Sequence, residues 1–183
     1  MGEGLLLKER QFLIEMFINR KGSFTFDWTE CGKIHEDVSP PIEIKTIPHK
    51  AWQTPSFPVA RALVPKIIQM LKDRLERGVL EKCEGAYRNP WFLIAKKEVG
   101  EYRLINAAMK MNEVTLRDAN LPPSVDEFSE EFAGCIAASL VDFFSGYDQL
   151  GLALKSKDMT VFQTPLRLLR MTSVPQRATN SVM

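Results

Sequence analysis

Ile136-Ala137-Ala138-Ser139-Leu140-Val141-Asp142-Phe143-Phe144-Ser145-Gly146-Tyr147-Asp148-Gln149 is the stretch on which the fold turns. Ile136 to Asp142 is an apolar run closed by a single carboxylate, and its simplest reading is a buried strand with Asp142 at its exit. A carboxylate there is costly unless it is solvated, paired or bound to a cation. Strand ends also hold functional groups rigidly. Asp142 is therefore the leading candidate for chemistry, and a turn or helix-cap aspartate is its ordinary alternative.

Working outward, Thr160 to Thr164 and Leu168 to Thr172 read as a hairpin on the C-terminal side. On the N-terminal side, Leu121-Pro122-Pro123 breaks the chain, and Ser124-Val125-Asp126-Glu127 is a capping box for a short helix that ends at Gly134. Trp91 to Ala95 and Glu101 to Ile105 read as a second hairpin, turning through Lys96 to Gly100. Val64, Ile67, Ile68, Leu71 and Leu75 form a helical stripe. Pro65 sits where a first-turn proline is tolerated and Gly78 where a C-terminal cap belongs. Lys21 to Arg61 carries Pro40, Pro41, Pro48, Pro55 and Pro58, too many for continuous helix or central strand. Its apolar residues, Trp28, Ile42, Ile44, Ile47, Trp52 and Phe57, indicate an arm anchored on another surface. Lys8 to Asn19 reads as a helix with Phe12, Leu13, Met16 and Phe17 on one face. Interleaved helices and antiparallel hairpins give an α+β class. The expected division is 1–60, a helix and proline-rich extended arm, and 61–183, the main domain.

The 183 residues are 45% hydrophobic and 26% charged, a globular balance that excludes wholesale disorder. No apolar run approaches the roughly 20 residues a spanning helix needs, and Met1 to Phe17 lacks a secretory pattern. The expectation is an intracellular protein with no membrane partner. Cys31, Cys83 and Cys135 are too few and too scattered for a disulfide framework. Cys31 and His35 have metal-like spacing, but no second close pair completes four ligands. The net charge of +1 hides blocks. Residues 61–110 hold 11 basic and 6 acidic side chains, 111–149 hold 1 and 8, and 150–183 hold 5 and 1. Ordinary solvated surface accounts for this. So does an acidic, cation-binding centre between surfaces that attract phosphate. There is no P-loop, dinucleotide-binding glycine pattern, zinc-protease helix or serine-nucleophile elbow. No Asp-Thr-Gly or Asp-Ser-Gly of a retroviral-type aspartic protease occurs either.

Ser139 to Gln149 resembles the first catalytic-aspartate motif of reverse transcriptases in gypsy-type long-terminal-repeat retrotransposons, with wording closest to fungal elements. Other segments match in order. Leu75 to Glu81 resembles the opening helix and turn of that domain. Asn89 to Lys97 resembles a fingers strand with its lysines, and Gly100 to Asn106 the strand after it. Leu121 to Glu127 resembles the approach to the palm. Phe162-Gln163-Thr164-Pro165 and Pro175-Gln176 resemble nucleotide-pocket segments. It is their order over residues 64–183 that carries the resemblance.

The resemblance implies a partial right-hand polymerase fold, fingers plus incomplete palm, with a loop-rich N-terminal extension. It implies RNA-directed DNA synthesis by two-metal chemistry, with Mg²⁺ or Mn²⁺ as cofactor and with RNA/DNA template-primer and dNTP as partners. Asp142 then matches a catalytic, metal-binding carboxylate, and the carbonyl of Phe143 a second metal ligand. Tyr147 matches the residue beneath the sugar that excludes a 2′-hydroxyl. Arg103 and Lys97 match triphosphate-holding groups, and Gln176 matches the glutamine that contacts the incoming nucleotide. The ordinary alternatives are core packing for Tyr147 and solvated surface for the others.

Three departures stand out. The family's adjacent aspartates, an aromatic-x-Asp-Asp sequence, have no counterpart, because no Asp-Asp pair occurs in the chain. Arg167 and Arg177 stand where the family has Gly, a residue used where a turn needs positive φ or a close backbone approach. The expectation is a truncated polymerase fragment, catalytically incomplete alone and not holding the metal tightly. It would be a piece of a longer polyprotein or a non-catalytic nucleic-acid-binding remnant.

Overall fold

The computed structural model describes residues 4–97, 100–119, 124–135 and 140–181. The chain forms two compact units, Met1–Gly32 and Lys33–Met183.

The first unit is built on helix α1, Leu7–Asn19. The Glu9 carboxylate accepts a hydrogen bond from the Leu6 N–H and so satisfies one of the orphan donors of the first turn. After the helix the chain turns back. Phe17 and Phe24 meet edge to face at 5.3 Å, and the Asp27 carboxylate accepts from both the N–H and the hydroxyl of Thr29. No residue of α1 is buried, although its length matches the sequence expectation.

The second unit has its main core between helix α2, Val64–Glu76, and a three-stranded antiparallel sheet. The stripe predicted for α2 is the buried face: Ile67 and Leu71 are fully enclosed against Leu80, Trp91, Leu104, Phe162, Leu169 and Met171. Pro65 lies in the first turn. Gly78, at φ +68°, takes the left-handed conformation that ends the helix. The Thr172 hydroxyl donates to the Gly78 carbonyl and ties this helix end to the sheet.

The sheet orders its strands β1 (Leu80–Lys82), β5 (Leu168–Met171) and β4 (Phe162–Gln163), with Leu80 opposite Met171 and Phe162 opposite Leu169. The expected C-terminal hairpin is thus present. A separate hairpin pairs β2 (Trp91–Ala95) with β3 (Tyr102–Asn106), Trp91 opposite Asn106. Lys66 of α2 donates to the Gly100 carbonyl at the hairpin end and lies 5.6 Å from the centre of the Tyr102 ring. Shorter helices follow: α3 (Met109–Val114), α4 (Val125–Glu131), α5 (Gly146–Gln149) and α6 (Leu154–Lys157). The capping box at α4 forms as read, with Ser124 accepting from the Glu127 N–H and Glu127 from the Ser124 N–H.

From Lys33 onward the proline-rich segment belongs to the second unit. Ile42 bridges to Leu152 and Thr46 to Thr115, while the Trp52 indole donates to Asn89 Oδ1 at 2.9 Å. Asn89 is almost wholly buried, and its amide nitrogen donates to the carbonyls of Met159 and Val161. One buried amide therefore ties the arm, the start of the β2 segment and the approach to β4.

The buried strand expected at Ile136 to Asp142 is not what the structure shows at its described end; residues 136–139 lie outside the described residues. Leu140 and Val141 are 100% and 79% exposed, and no strand includes them. The physical reason is pairing. An apolar run becomes a buried strand only beside a hydrogen-bonding neighbour, and neither described sheet supplies one here.

Candidate nucleotide-facing cleft

The core framework leaves a cleft with a charged and polar lining. Its walls are Leu80, Leu104, Ile105, Phe162, Met171 and Pro175, with Arg74, Asn106, Asp148 and Gln176 among them. It holds about 450 Å³, counting its mouth open to solvent. Each polar group arrives from a different element: Arg74 from the last turns of α2, Asn106 from the end of β3, Asp148 from α5, and Gln176 from the loop after β5.

Two residues next in the chain to segments that line this cleft have strained backbone. Among the described non-glycine residues, Ser145 and Arg177 have positive φ, +50° and +73°. Ser145 immediately precedes α5 and Arg177 immediately follows Gln176. Such residues each cost about 1–2 kcal/mol and persist where surrounding contacts impose them. The contacts here are specific. The Ser145 hydroxyl donates to Asp148 Oδ2 at 2.7 Å, and the Asp148 N–H donates to the Ser145 carbonyl at 2.8 Å. Asn112 donates to the Arg177 carbonyl at 2.9 Å and accepts from the Thr179 N–H at 3.0 Å. A Cβ at Gly146 would lie 3.1 Å from the Phe143 Cβ, a tight approach that requires Phe143 to give by a few tenths of an ångström.

Arg167 behaves differently. Its φ is not left-handed, and the Thr164 hydroxyl organises its turn by accepting from the N–H groups of Leu166 and Arg167 and donating to the Arg167 carbonyl. Of the two Gly-to-Arg departures, only Arg177 occupies a position that needs positive φ.

The candidates from the sequence divide between cleft and surface. Gln176 lines the cleft, and Tyr147 sits half-buried beside the cleft residue Asp148. Arg103 is exposed on β3 and near enough to Arg74 for its charge to be felt there. Asp142 and Phe143 are exposed and are not among the cleft residues. Lys97 is exposed just beyond β2, also outside the cleft lining.

The residues described do not fit a site for two divalent ions. Such ions need several converging oxygen ligands, and among the described residues no group of three or more His, Cys, Asp or Glu side chains gathers. Asp142 with the Phe143 carbonyl does not make up that number. All three cysteines are free thiols, and burial pushes the Cys83 thiol up from its ordinary pKa, away from reactivity.

Arg74 and Asn106 are the groups that sequence reasoning missed. In the sequence Arg74 counts only toward the basic block, and Asn106 only as the end of a strand. Burial pushes the Arg74 guanidinium pKa down, Asp148 opposes that shift, and Arg77 and Arg103 add to it. Asn106 donates to the Thr160 carbonyl, while its buried Oδ1 has no hydrogen-bond partner among the described residues. Neither feature has a local sequence signal, since both arise from contacts between distant segments.

Along 92% of its length the chain is 23% identical to the retrovirus-related Pol polyprotein from transposon gypsy of Drosophila melanogaster, of which it covers 18%. Over 97 residues, 51% of the chain, it is 31% identical to the enzymatic polyprotein of soybean chlorotic mottle virus, covering 14% of it. A crystal structure of prototype foamy virus protease-reverse transcriptase superimposes with a TM-score of 0.78 over 97% of the chain, at 19% identity and covering 24% of that protein. The chain is similar to part of a retroelement Pol polyprotein. Its α+β fold is that of part of the foamy virus enzyme, as expected for a partial polymerase fold. The chain spans less than a quarter of the length of each of these relatives. No protein-family model matches it. Among the described residues no helix is long and apolar enough to cross a membrane.

Proposed function

We propose that this chain is the fingers and partial palm of an RNA-directed DNA polymerase from a gypsy-type retrotransposon, of fungal type by its wording. In this reading it engages nucleic acid and nucleotide but does not complete nucleotidyl transfer by itself. The observation that carries the reading is the coincidence of an ordered motif set with a fold matching the foamy virus enzyme along 97% of the chain. Gln176 lining a cleft beside the α5 turn that bears Tyr147 supports the nucleotide assignment. Arg103 and Lys97 supply exposed positive charge for phosphates. Asp142 and the Phe143 carbonyl stand as one part of a metal site whose remaining acids, an Asp-Asp pair, do not occur in the 183 residues. The chain is then a piece of a polyprotein whose remainder would complete the site.

Primer extension by the purified chain tests the catalytic half. With Mg²⁺ or Mn²⁺, a primed RNA template and dNTPs, no extension is expected. Robust extension that Asp142→Asn abolishes would overturn the reading.

A second reading, a non-catalytic nucleic-acid-binding module, draws on the basic blocks at 61–110 and 150–183. Structures of the foamy viral protein in complex with dsDNA and with RNA/DNA hybrid give it a precedent in a protein of like fold. It differs from the first in needing no nucleotide site, so dNTP binding separates the two.

A further inference from the structure

The cleft contains a pair of charges that the nucleotide reading leaves unused. Arg74 and Asp148 both line it, on elements more than 70 residues apart in sequence. Arg74 is half-buried, and among the described residues its guanidinium has no hydrogen-bond or ion-pair partner. A guanidinium withdrawn from water without a partner is costly unless a nearby negative charge offsets the loss. Asp148 is the one carboxylate in the described cleft lining. The two other charges felt at Arg74, those of Arg77 and Arg103, are repulsive.

Asp148 is also the clamp of a strained turn. Its Oδ2 accepts from the hydroxyl of Ser145, the residue held at φ +50°, while the Gln149 side-chain Nε2 donates to the Phe144 carbonyl across the same turn. The Asp148 carboxylate thus closes the turn from Ser145 to Asp148, and Tyr147 lies within it. A group that attracts Asp148 from α2 acts on the turn from a rigid helix packed into the main core.

We propose that Arg74 is a positioning residue: by attracting Asp148 across the cleft it sets the α5 turn, and with it Tyr147, relative to Gln176. Arg74 touches no nucleotide in this scheme and acts through Asp148. The proposal rests on the reading of Tyr147 and Gln176 as nucleotide-facing, and its test separates the two.

The test uses the full chain, with Arg74→Met to keep the side chain's length and remove its charge, and Arg74→Lys to keep the charge; both leave the Asp148–Ser145 hydrogen bond in place. Amide hydrogen exchange is followed without nucleotide. In Arg74→Met the backbone amides of Asp148 and Gln149 are expected to lose protection about fivefold or more, while β1, β4 and β5 keep theirs, and Arg74→Lys is expected to retain most of the protection. Unchanged exchange at Asp148 and Gln149 would overturn the proposal, and so would a uniform loss across the sheet. Should Arg74→Met fail to fold, Arg74→Lys is expected to retain protection that Asp148→Asn loses, and equal behaviour of those two variants counts against the pair. The second readout is affinity for a fluorescent dNTP with Mg²⁺, expected to weaken about fivefold in Arg74→Met and to be largely kept in Arg74→Lys. Loosened exchange with unchanged affinity refutes positioning. A wild-type chain that binds no dNTP refutes the nucleotide reading, and the exchange data then still decide whether Arg74 holds the turn.

Discussion

Asn112 holds Arg177 in a left-handed conformation: the Asn112 amide donates to the Arg177 carbonyl at 2.9 Å while Arg177 sits at φ +73°. The strain belongs to the residue type and the clasp to the fold. Arg177→Gly removes the Cβ clash, worth about 1–2 kcal/mol, and returns part of that as extra freedom of the unfolded chain. The expected net effect is a gain of about 0.5–1 kcal/mol, read as a rise in Tm of about 2–3 °C for a chain of this size. Asn112→Ala is expected to cost about 2 kcal/mol, because it removes two hydrogen bonds and leaves the Thr179 N–H without its acceptor. Thermal unfolding of both variants checks the pair, and a destabilised Arg177→Gly would show that the arginine side chain holds the loop.

The opposite substitution applies at the end of α2. Gly78 has φ +68°, and a Cβ placed there would meet no atom within 4 Å. The cost of a side chain at this position therefore comes from the backbone angle and not from crowding. Gly78→Ala is expected to cost about 1 kcal/mol from that strain alone. Urea unfolding measures it, with an unchanged slope showing that only the folded state has been raised in energy.

The helix stripe, the Gly78 cap, both hairpins and the Ser124 capping box are legible in the sequence because each is written within a dozen residues. The strand expected at Ile136 to Asp142 fails at its described end for the converse reason. Its apolar character is local, but strand pairing is decided elsewhere in the chain. Of the cleft's polar lining, the resemblance points to Gln176 alone, with Tyr147 next in the chain to the lining residue Asp148; Arg74 and Asn106 come together there only through the fold. Asn89 is similar. Nothing local distinguishes a surface asparagine before proline from one that ties three segments.

That buried tie yields a large expected effect. Asn89→Ala removes the acceptor of the Trp52 indole and the donor to two carbonyls. A loss of about 3 kcal/mol is expected. Because the arm loses one of its attachments, limited proteolysis should cut within residues 45–60 earlier than in the parent chain. Cleavage at an unchanged rate would show that the bridges at Ile42 and Thr46 suffice.

Glu81 anchors an ion-pair network across β1, β5 and the segment after α6. Arg170 contacts Glu81 at 2.6 Å and also Asp158, and Lys157 lies 3.3 Å from Glu81. Burial pushes the Glu81 carboxyl up, but Arg170 and Lys157 outweigh it and leave its pKa below the ordinary value of 4.5. A carboxyl depressed in the folded state contributes stability that is present above its unfolded pKa and lost as pH falls through the folded one. Stability should therefore decline as pH drops below 4.5. Arg170→Met is expected to cost about 1–2 kcal/mol at neutral pH, after allowance for the partly exposed carboxylates, and to flatten the acid limb. Urea midpoints between neutral pH and about pH 3 decide it, and an acid limb of unchanged slope in Arg170→Met would place the titrating group elsewhere.

Nucleic-acid binding, if it runs through phosphate contacts, has a quantitative signature. Each phosphate neutralised releases counterions, so the logarithm of the association constant falls with the logarithm of salt concentration by about 0.9 per contact on duplex DNA. Lys97 and Arg103 are both exposed, Lys97 just past β2 and Arg103 on β3, so they share one hairpin. Lys97→Ala and Arg103→Ala are each expected to weaken binding on every sequence tested and to reduce the slope by about 1. Together they should reduce it by about 2, because phosphate contacts at separate positions add. Fluorescence anisotropy on a short duplex between about 50 and 200 mM salt spans the range in which several contacts change affinity by orders of magnitude. A parent chain whose affinity does not vary with salt would remove phosphate recognition from its function. A double variant that keeps the parent slope would move the contact surface away from this hairpin, toward the basic residues of 150–183.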